Sequence, residues 1–370
     1  MAAAMGFGRF AYTPILPAMV AGLHLSKAQA GWIASANFAG YLLGALIGAL
    51  PLRGSPRAWM LSSLAVSVAS TLAMGLTPDL YLLAALRFVG GLASAGVLVF
   101  ASTLVLAALA QSGKAHLAAV HFAGVGAGVA ISGGLVSALE AMGVGWAGLW
   151  LAVGGLGAVL AVLAALLLPG QQPATVPAAA SAAPAKTPAH KADFAKLVLA
   201  YGLMGFGYVV TATFLMVIVR GSPAAKAVEP IVWVVVGLAA IPSILPWTRL
   251  GRRIGMARAF AICCLIEAAG VAISVLWPTV PGALIAALAL GGTYMALTAL
   301  GLALARELRS DRVSQALAGV TAAFALGQML GPIAAGILAE RTGGFTIPSL
   351  VAAAALVMSA ILAAMMQRRH

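Results

Sequence analysis

The sequence predicts an all-α polytopic membrane protein, with twelve transmembrane helices in two pseudo-symmetric six-helix halves. Three observations carry this expectation. The chain is 63% hydrophobic and only 8% charged, against about 25% charged residues in an ordinary soluble domain, so its surface has to meet lipid. Apolar segments of roughly 20 residues, the length that crosses about 30 Å of hydrocarbon, recur twelve times. The tetrapeptide Met-Gly-Phe-Gly at residues 5–8 returns at 204–207, at matching places in the two halves.

Taken in order, the spans fall at 2–22, 29–50, 58–76, 80–108, 115–139, 144–168, 195–219, 230–248, 257–277, 282–305, 313–339 and 346–367. Between the sixth and seventh lies 169–193, rich in Pro, Ala and Ser and without any core pattern, which is expected to be a flexible cytoplasmic linker. It divides the chain into an N-terminal half, 1–168, and a C-terminal half, 194–370. The 43 glycines fit helices that pack backbone to backbone.

The net charge of +13 would suggest nucleic acid in a soluble protein. Here it distributes by topology. With both termini and the linker in the cytoplasm, fifteen Lys and Arg fall on the cytoplasmic side and four (Lys27, Arg220, Lys226 and Arg341) on the other. That asymmetry follows the positive-inside rule. Cys263 and Cys264 are adjacent in an apolar run and are expected to be small buried hydrophobes. The N-terminus has no charged lead of a cleavable signal peptide, and Arg9, Pro14 and Pro17 interrupt its apolar run.

The repeat extends beyond the tetrapeptide. At an offset of 202, Phe122 falls on Phe324 and Gly134 on Gly336. Its first copy ends at Arg9 and its second at Tyr208. A cation about 12 Å into a span at 1.5 Å per residue costs several kcal/mol and persists when it faces water or a partner. Tyr12 and Thr13 follow Arg9 at i+3 and i+4, so the three share a face. On span 7, Tyr201, Tyr208 and Thr211 share a face with Met204. Tyr294 and Thr298 on span 10, and Asn37 and Tyr41 on span 2, are i, i+4 pairs. Each of these side chains can meet a solute or simply bond helix to helix.

Several stretches resemble the major facilitator superfamily. Thr248–Gly255, "TRLGRRIG", resembles its loop signature D-R-x-G-R-R, with Arg249, Gly251, Arg252 and Arg253 matching. Arg87–Gly91, "RFVGG", resembles the R-x-x-x-G of its fourth helix, and "GQMLGPIAAG", 327–336, resembles its G-x-x-x-G-P-x-x-x-G signature. "GRFAYTPILP" and "AGWIASANFAGYLLGAL" resemble the bacterial YbfB/YjiJ-type transporters. The resemblance covers nearly the whole chain. Thr248 replaces the loop acid, the first-half loop "LRGSPR" is degenerate, and Val129 stands where span 5 of the family pattern has proline.

The resemblance implies a secondary transporter of the bacterial inner membrane. It would be a monomer with both termini cytoplasmic, with spans 1, 4, 7 and 10 lining a central cavity. The expected cavity residues are Arg9, Tyr12, Thr13, Asn37, Tyr41, Tyr201, Tyr208, Thr211, Tyr294 and Thr298. Arg9 would offer a fixed cation to an organic anion such as a carboxylate, which a guanidinium binds through two donors. Many proton-coupled drug exporters of the superfamily carry an acid in span 1, at the place that counting back from Pro17 puts at Gly8; here the neighbour is Arg9. Spans 1, 4, 7 and 10 hold no Asp or Glu. The expected coupling or gating residues are Arg87, Gly91, Arg249, Arg252 and Arg253, which the resemblance implies, with His121 and Glu267 as the titratable groups left within spans. Glu267 can equally be a neutral carboxyl packed among helices, and His121 a hydrogen-bonded core histidine. The substrate carboxylate itself can carry the proton.

No phosphate-binding G-x-x-x-x-G-K-[ST], metal-ligand cluster or nucleophile–base–acid arrangement is present in the sequence. An enzyme, a cofactor and a nucleic-acid partner are not expected; the expected partners are a small-molecule substrate and membrane lipid, with transport either coupled to protons or not. Two rivals stand beside the anion transporter: efflux of hydrophobic or drug-like compounds, and a non-transporting sensor or scaffold on the same fold.

Overall fold

The computed structural model describes residues 1–48, 50, 53–114, 117–167 and 191–366. Among them are twelve α-helices, each on an expected span: α1 (Tyr12–Leu23), α2 (Lys27–Gly48), α3 (Pro56–Ala73), α4 (Leu80–Gln111), α5 (Ala118–Ala141), α6 (Trp146–Leu167), α7 (Lys191–Arg220), α8 (Glu229–Ile254), α9 (Met256–Leu276), α10 (Val280–Leu308), α11 (Val313–Arg341) and α12 (Thr346–Ala364). Lipid leaves no water for backbone groups, so a spanning segment must satisfy them internally, which these helices do. Most of the expected linker lies outside the described residues. Its last three positions, 191–193, form the first turn of α7.

Ten helices are long and apolar enough to cross a membrane. The other two are α1 and α3, and each has a reason. Span 1 is shared between α1 and the π-helical segment Ala2–Phe10 before it. In α3 the apolar run is diluted by Arg57, Ser62, Ser63, Ser67, Ser70 and Thr71.

Helix ends are set locally. The Ser55 hydroxyl accepts from Ala58 N at 3.1 Å ahead of α3, and Asp79 accepts from Leu82 N at 2.8 Å ahead of α4. Both satisfy an orphan N–H of a first turn. Gly255 turns α8 into α9 with φ 95°, a backbone conformation that a side chain rarely adopts.

The π-helical stretch ends just before a proline. Pro14 has no N–H. In an α register that removes the donor for the Phe10 carbonyl, and in a π register the donor for Arg9. The chain takes the wide register up to Phe10 and returns to α at Tyr12. The carbonyls of Gly8 and Arg9 accept from Arg87 Nη1 at 2.9 Å and Nη2 at 3.0 Å.

The two halves meet through α2 with α11, α5 with α8 and α1 with α7. Small residues allow this closeness: a methyl on Gly31 would run into the Pro332 carbonyl, and one on Gly237 into the backbone of Ala130. Polar contacts between halves cluster at the end of the bundle where α2 begins. Lys27 Nζ donates to Ala339 O at 3.3 Å, and Ser137 Oγ to Pro230 O at 2.8 Å. Arg220 donates to both oxygens of Glu140, at 3.0 and 2.8 Å, and also pairs with Glu229. These bridges seal the bundle at that face.

Candidate functional site

The centre of the bundle gathers the two copies of the repeat. Arg9, at the end of the π-helical stretch, is 4% exposed. Its guanidinium lies 3.9 Å from the ring centroid of Tyr41, 4.9 Å from Phe38 and 5.5 Å from Phe10, which are cation–π distances. Its Nη2 donates to Gln328 Oε1 at 3.1 Å. Gln328 Nε2 in turn donates to the hydroxyl of Tyr208. The repeat-related Arg9 and Tyr208 are thus bridged by one amide of α11. Among the described residues no carboxylate pairs with Arg9, and its Nε has no hydrogen-bond partner.

Two small cavities flank this bridge. One is lined by Arg9, Phe10, Tyr12, Thr13, Phe38 and Arg87, among others. The other is lined by Phe10, Val129, Tyr208, Trp233, Leu290 and Tyr294, among others. Each has room for about one water molecule. Aromatic rings fill the space between them: Tyr208 stacks on Phe324 at 5.8 Å and on Tyr294 at 6.2 Å, and Phe10 meets Tyr294 edge-on at 5.8 Å. The Tyr294 hydroxyl and Trp233 Nε1 are buried without partners. A solute entering here would displace rings rather than fill a preformed hole, and it would find those donors waiting.

The expected cavity residues divide. Arg9, Tyr12, Thr13, Tyr208 and Tyr294 line the cavities, and Tyr41 backs the Arg9 guanidinium. The Tyr12 hydroxyl is already spent on Ala30 O at 2.8 Å, and the Thr13 hydroxyl on Ala212 O, across the two halves. Asn37 braces α2 to α4 by donating to Arg87 O at 2.8 Å. Tyr201 donates to Thr298 O at 3.1 Å and stacks on Phe324 at 5.0 Å. The Thr298 hydroxyl bonds back to Tyr294 O at 3.0 Å. Thr211 is buried with its hydroxyl unpartnered.

The expected coupling residues are scattered. Arg87 lines the Arg9 cavity, but its Nη atoms serve the carbonyls of Gly8 and Arg9, and its guanidinium sits 5.0 Å from the Tyr12 ring. Gly91 lets α4 approach α2 so closely that a methyl would strike the Asn37 carbonyl. His121 shares a hydrogen with Ser102 Oγ at 3.2 Å and packs against Phe122, outside both cavities. Arg249, Arg252 and Arg253 are exposed at the C-terminal end of α8, where cations complement the helix dipole. Glu267 is buried on α9 and meets Thr293 of α10. Gln328, Phe38, Phe324, Trp233 and Thr293 were missed. Gln328 had a signal: it is an amide inside an apolar span, within the glycine-rich stretch at 327–336.

A whole-chain comparison decides the family. Residues 1–364 match the family model described as "Uncharacterised MFS-type transporter YbfB". The chain belongs to this family of major facilitator transporters. It is a multi-pass membrane transporter of small molecules, not an enzyme. Among solved structures, the chain is similar to the nucleoside transporter NupG in two crystal structures. One is of a point mutant, with TM-score 0.76, 14% identity and 99% of each chain covered. The other has TM-score 0.73, 13% identity, and covers 100% of this chain and 98% of that one. A bacterial homologue of the human lysosomal transporter Spinster, inward-facing and unoccupied, aligns with TM-score 0.64 and 16% identity over 98% of this chain and 93% of that one. At these identities the likeness establishes the fold. No curated protein sequence matches the chain.

Proposed function

We propose that this transporter moves a small organic anion with an apolar body by alternating access, with a proton as coupled ion. One observation carries the reading: the Arg9 guanidinium is buried at the centre of the fold without a carboxylate partner among the described residues. A buried cation without a counter-ion is costly. Aromatic faces and one amide oxygen offset part of that cost, and an anionic substrate supplies the rest. The lining of the second cavity, with Phe10, Trp233 and Leu290, is apolar and would meet the solute's apolar body once the rings part. The halves 1–168 and 194–370 would rock about this centre, joined through 169–193. With both termini in the cytoplasm of a bacterial inner membrane, the sealed face is the outer one.

The apolar lining also favours a second reading, export of neutral or hydrophobic drug-like compounds. A thermal-shift screen separates the two, because a ligand stabilises the state that binds it. The probes are benzoate, lactate, uridine, tetraphenylphosphonium and a hydrophobic antibiotic, each tested on the parent and on Arg9→Ala. Stabilisation of the parent by a carboxylate, with binding weakened at least about tenfold in Arg9→Ala, is expected from losing a charged hydrogen-bond pair. Stabilisation of both proteins by the antibiotic alone rejects the anion. Uridine acting equally on both points to a nucleoside-type solute. Binding without flux in vesicles makes the protein a sensor or scaffold.

A further inference from the structure

Glu267 lies on α9, outside both central cavities, and is 1% exposed. It forms no ion pair among the described residues, and its Oε1 has no hydrogen-bond partner. Its Oε2 is 2.7 Å from Thr293 Oγ1, and that same hydroxyl oxygen is 2.6 Å from the Ala289 carbonyl. Both are full hydrogen-bond distances between oxygens. A threonine hydroxyl carries one hydrogen. It can lie along one of these two lines only, and a carbonyl oxygen brings none. Two oxygens at such a distance with no hydrogen between them repel. The arrangement closes when the Thr293 hydrogen points to Ala289 O and a second hydrogen sits on Glu267 Oε2, donating to Thr293 Oγ1.

We infer that Glu267 and Thr293 form the proton-binding site of the transport cycle, with the proton held on Glu267 Oε2 in the sealed conformation. This rests on the proton-coupled reading above but not on the identity of the organic solute. Thr293 is followed by Tyr294, whose ring lines the cavity and stacks on Tyr208, the residue that Gln328 ties to Arg9. One face of α10 therefore holds the proton while the next residue touches the substrate space. When α10 moves with its half, water reaches the carboxyl. The Oε2–H bond then breaks, the proton passes to water as hydronium, and the electron pair stays on Glu267 as a carboxylate. A carboxylate cannot remain buried without a partner, so deprotonation disfavours the sealed conformation until a proton returns.

The surroundings leave Glu267 as the group that changes charge there. On α9 its neighbours are Cys263, whose Sγ is 3.8 Å from Thr293 O, and Cys264, which meets Ser359 Oγ at 3.6 Å. From α10 comes Tyr294, and from α7 Tyr201 and Tyr208. Helix α12 has no titratable side chain. The charged groups of α8 (Glu229, Arg249, Arg252 and Arg253), of α9 (Arg258), of α10 (Arg306 and Glu307) and of α7 (Lys191, Asp193, Lys196 and Arg220) stand at helix ends.

The test uses pH alone as the ligand, on the full chain in vesicles of phosphatidylethanolamine and phosphatidylglycerol. Infrared spectra of the parent at neutral pH should show a protonated carboxyl band that is absent from Glu267→Gln. Spin labels on Met142→Cys and Leu276→Cys, exposed on opposite halves at the sealed face, report opening. Cys263 and Cys264 are fully buried and stay unlabelled. In the parent the labels should move apart as pH rises. Glu267→Gln, whose amide can still donate to Thr293, should hold the short separation at every pH, and Glu267→Asp should recover the shift. Absence of a Glu267-dependent carboxyl band, a parent distribution that ignores pH, or a Glu267→Gln variant that shifts as the parent does would each overturn the inference.

Discussion

The same four residues, Met-Gly-Phe-Gly, take two different backbones in the two halves. In Met5–Gly8 they lie in a π-helical stretch, and in Met204–Gly207 they lie inside the continuous helix α7. The tetrapeptide does not decide the difference; the residues after it do. Pro14 removes a backbone donor one turn above the first copy, whereas α7 contains no proline. Arg87 donates to the carbonyls of Gly8 and Arg9, and α10, the helix of the second half that corresponds to α4, has no arginine in its interior. A buried arginine that looks like transport machinery therefore also completes a backbone. In the second half Tyr208 stands where Arg9 would, and the two are joined through Gln328.

The comparison breaks most readily at Arg87. Arg87→Ala removes the guanidinium donors of two buried carbonyls, at about 1–3 kcal/mol each, so a loss of about 2–6 kcal/mol is expected. Thermal unfolding in detergent should show it as a fall of several degrees, and Arg87→Lys should recover part of it. An unchanged midpoint in Arg87→Ala would mean that the π-helical stretch does not depend on this residue. Next come the matched glycines. A methyl on Gly6 meets the backbone of Gly128, and one on Gly205 meets the Phe324 carbonyl. Gly6→Ala and Gly205→Ala should each cost about 1–3 kcal/mol and should cost similar amounts. Similar losses would say that duplication kept the packing role of the tetrapeptide although its helical form diverged.

Tyr208→Phe is milder. It deprives the Gln328 amide of its acceptor, for about 1 kcal/mol of stability, and frees Gln328 to turn away from Arg9. Binding of whichever anion stabilises the parent should weaken, with a smaller effect than Arg9→Ala, as isothermal titration would report. The smallest effect is expected at Arg220, whose side chain is 30% exposed. Arg220→Gln removes ion pairs worth about 0.5–1 kcal/mol at such a surface. Its signature is conformational: the spin-label separation at the sealed face should broaden while the thermal midpoint barely moves.

Much of the fold was legible because membrane spans are a local property. Twenty apolar residues announce themselves whatever surrounds them, and the lipid permits only helix there. The pairing of halves was legible because duplication left residues 5–8 and 204–207 in corresponding places. The site was only half legible. Arg9, Tyr208 and Tyr294 were visible as polar groups in apolar spans. Gln328 carried the same signal but was absorbed into a glycine-rich packing stretch, and Phe38 and Phe324 cannot be told from lipid-facing rings by sequence.

The sequence by itself determined the number of helices, the duplicated halves, and the presence of cations and one carboxyl deep in the membrane. Only the tertiary structure decided their partners: Gln328 between Arg9 and Tyr208, Arg87 on the carbonyls of Gly8 and Arg9, and Thr293 against Glu267. The physical reason is that these helices are apolar on nearly every side. Their own periodicity does not mark which face turns inward. Rotation and crossing are set by glycine contacts between helices distant in the chain, such as Gly31 with Pro332. Those contacts bring residues about 80 to 320 positions apart to the same few ångströms.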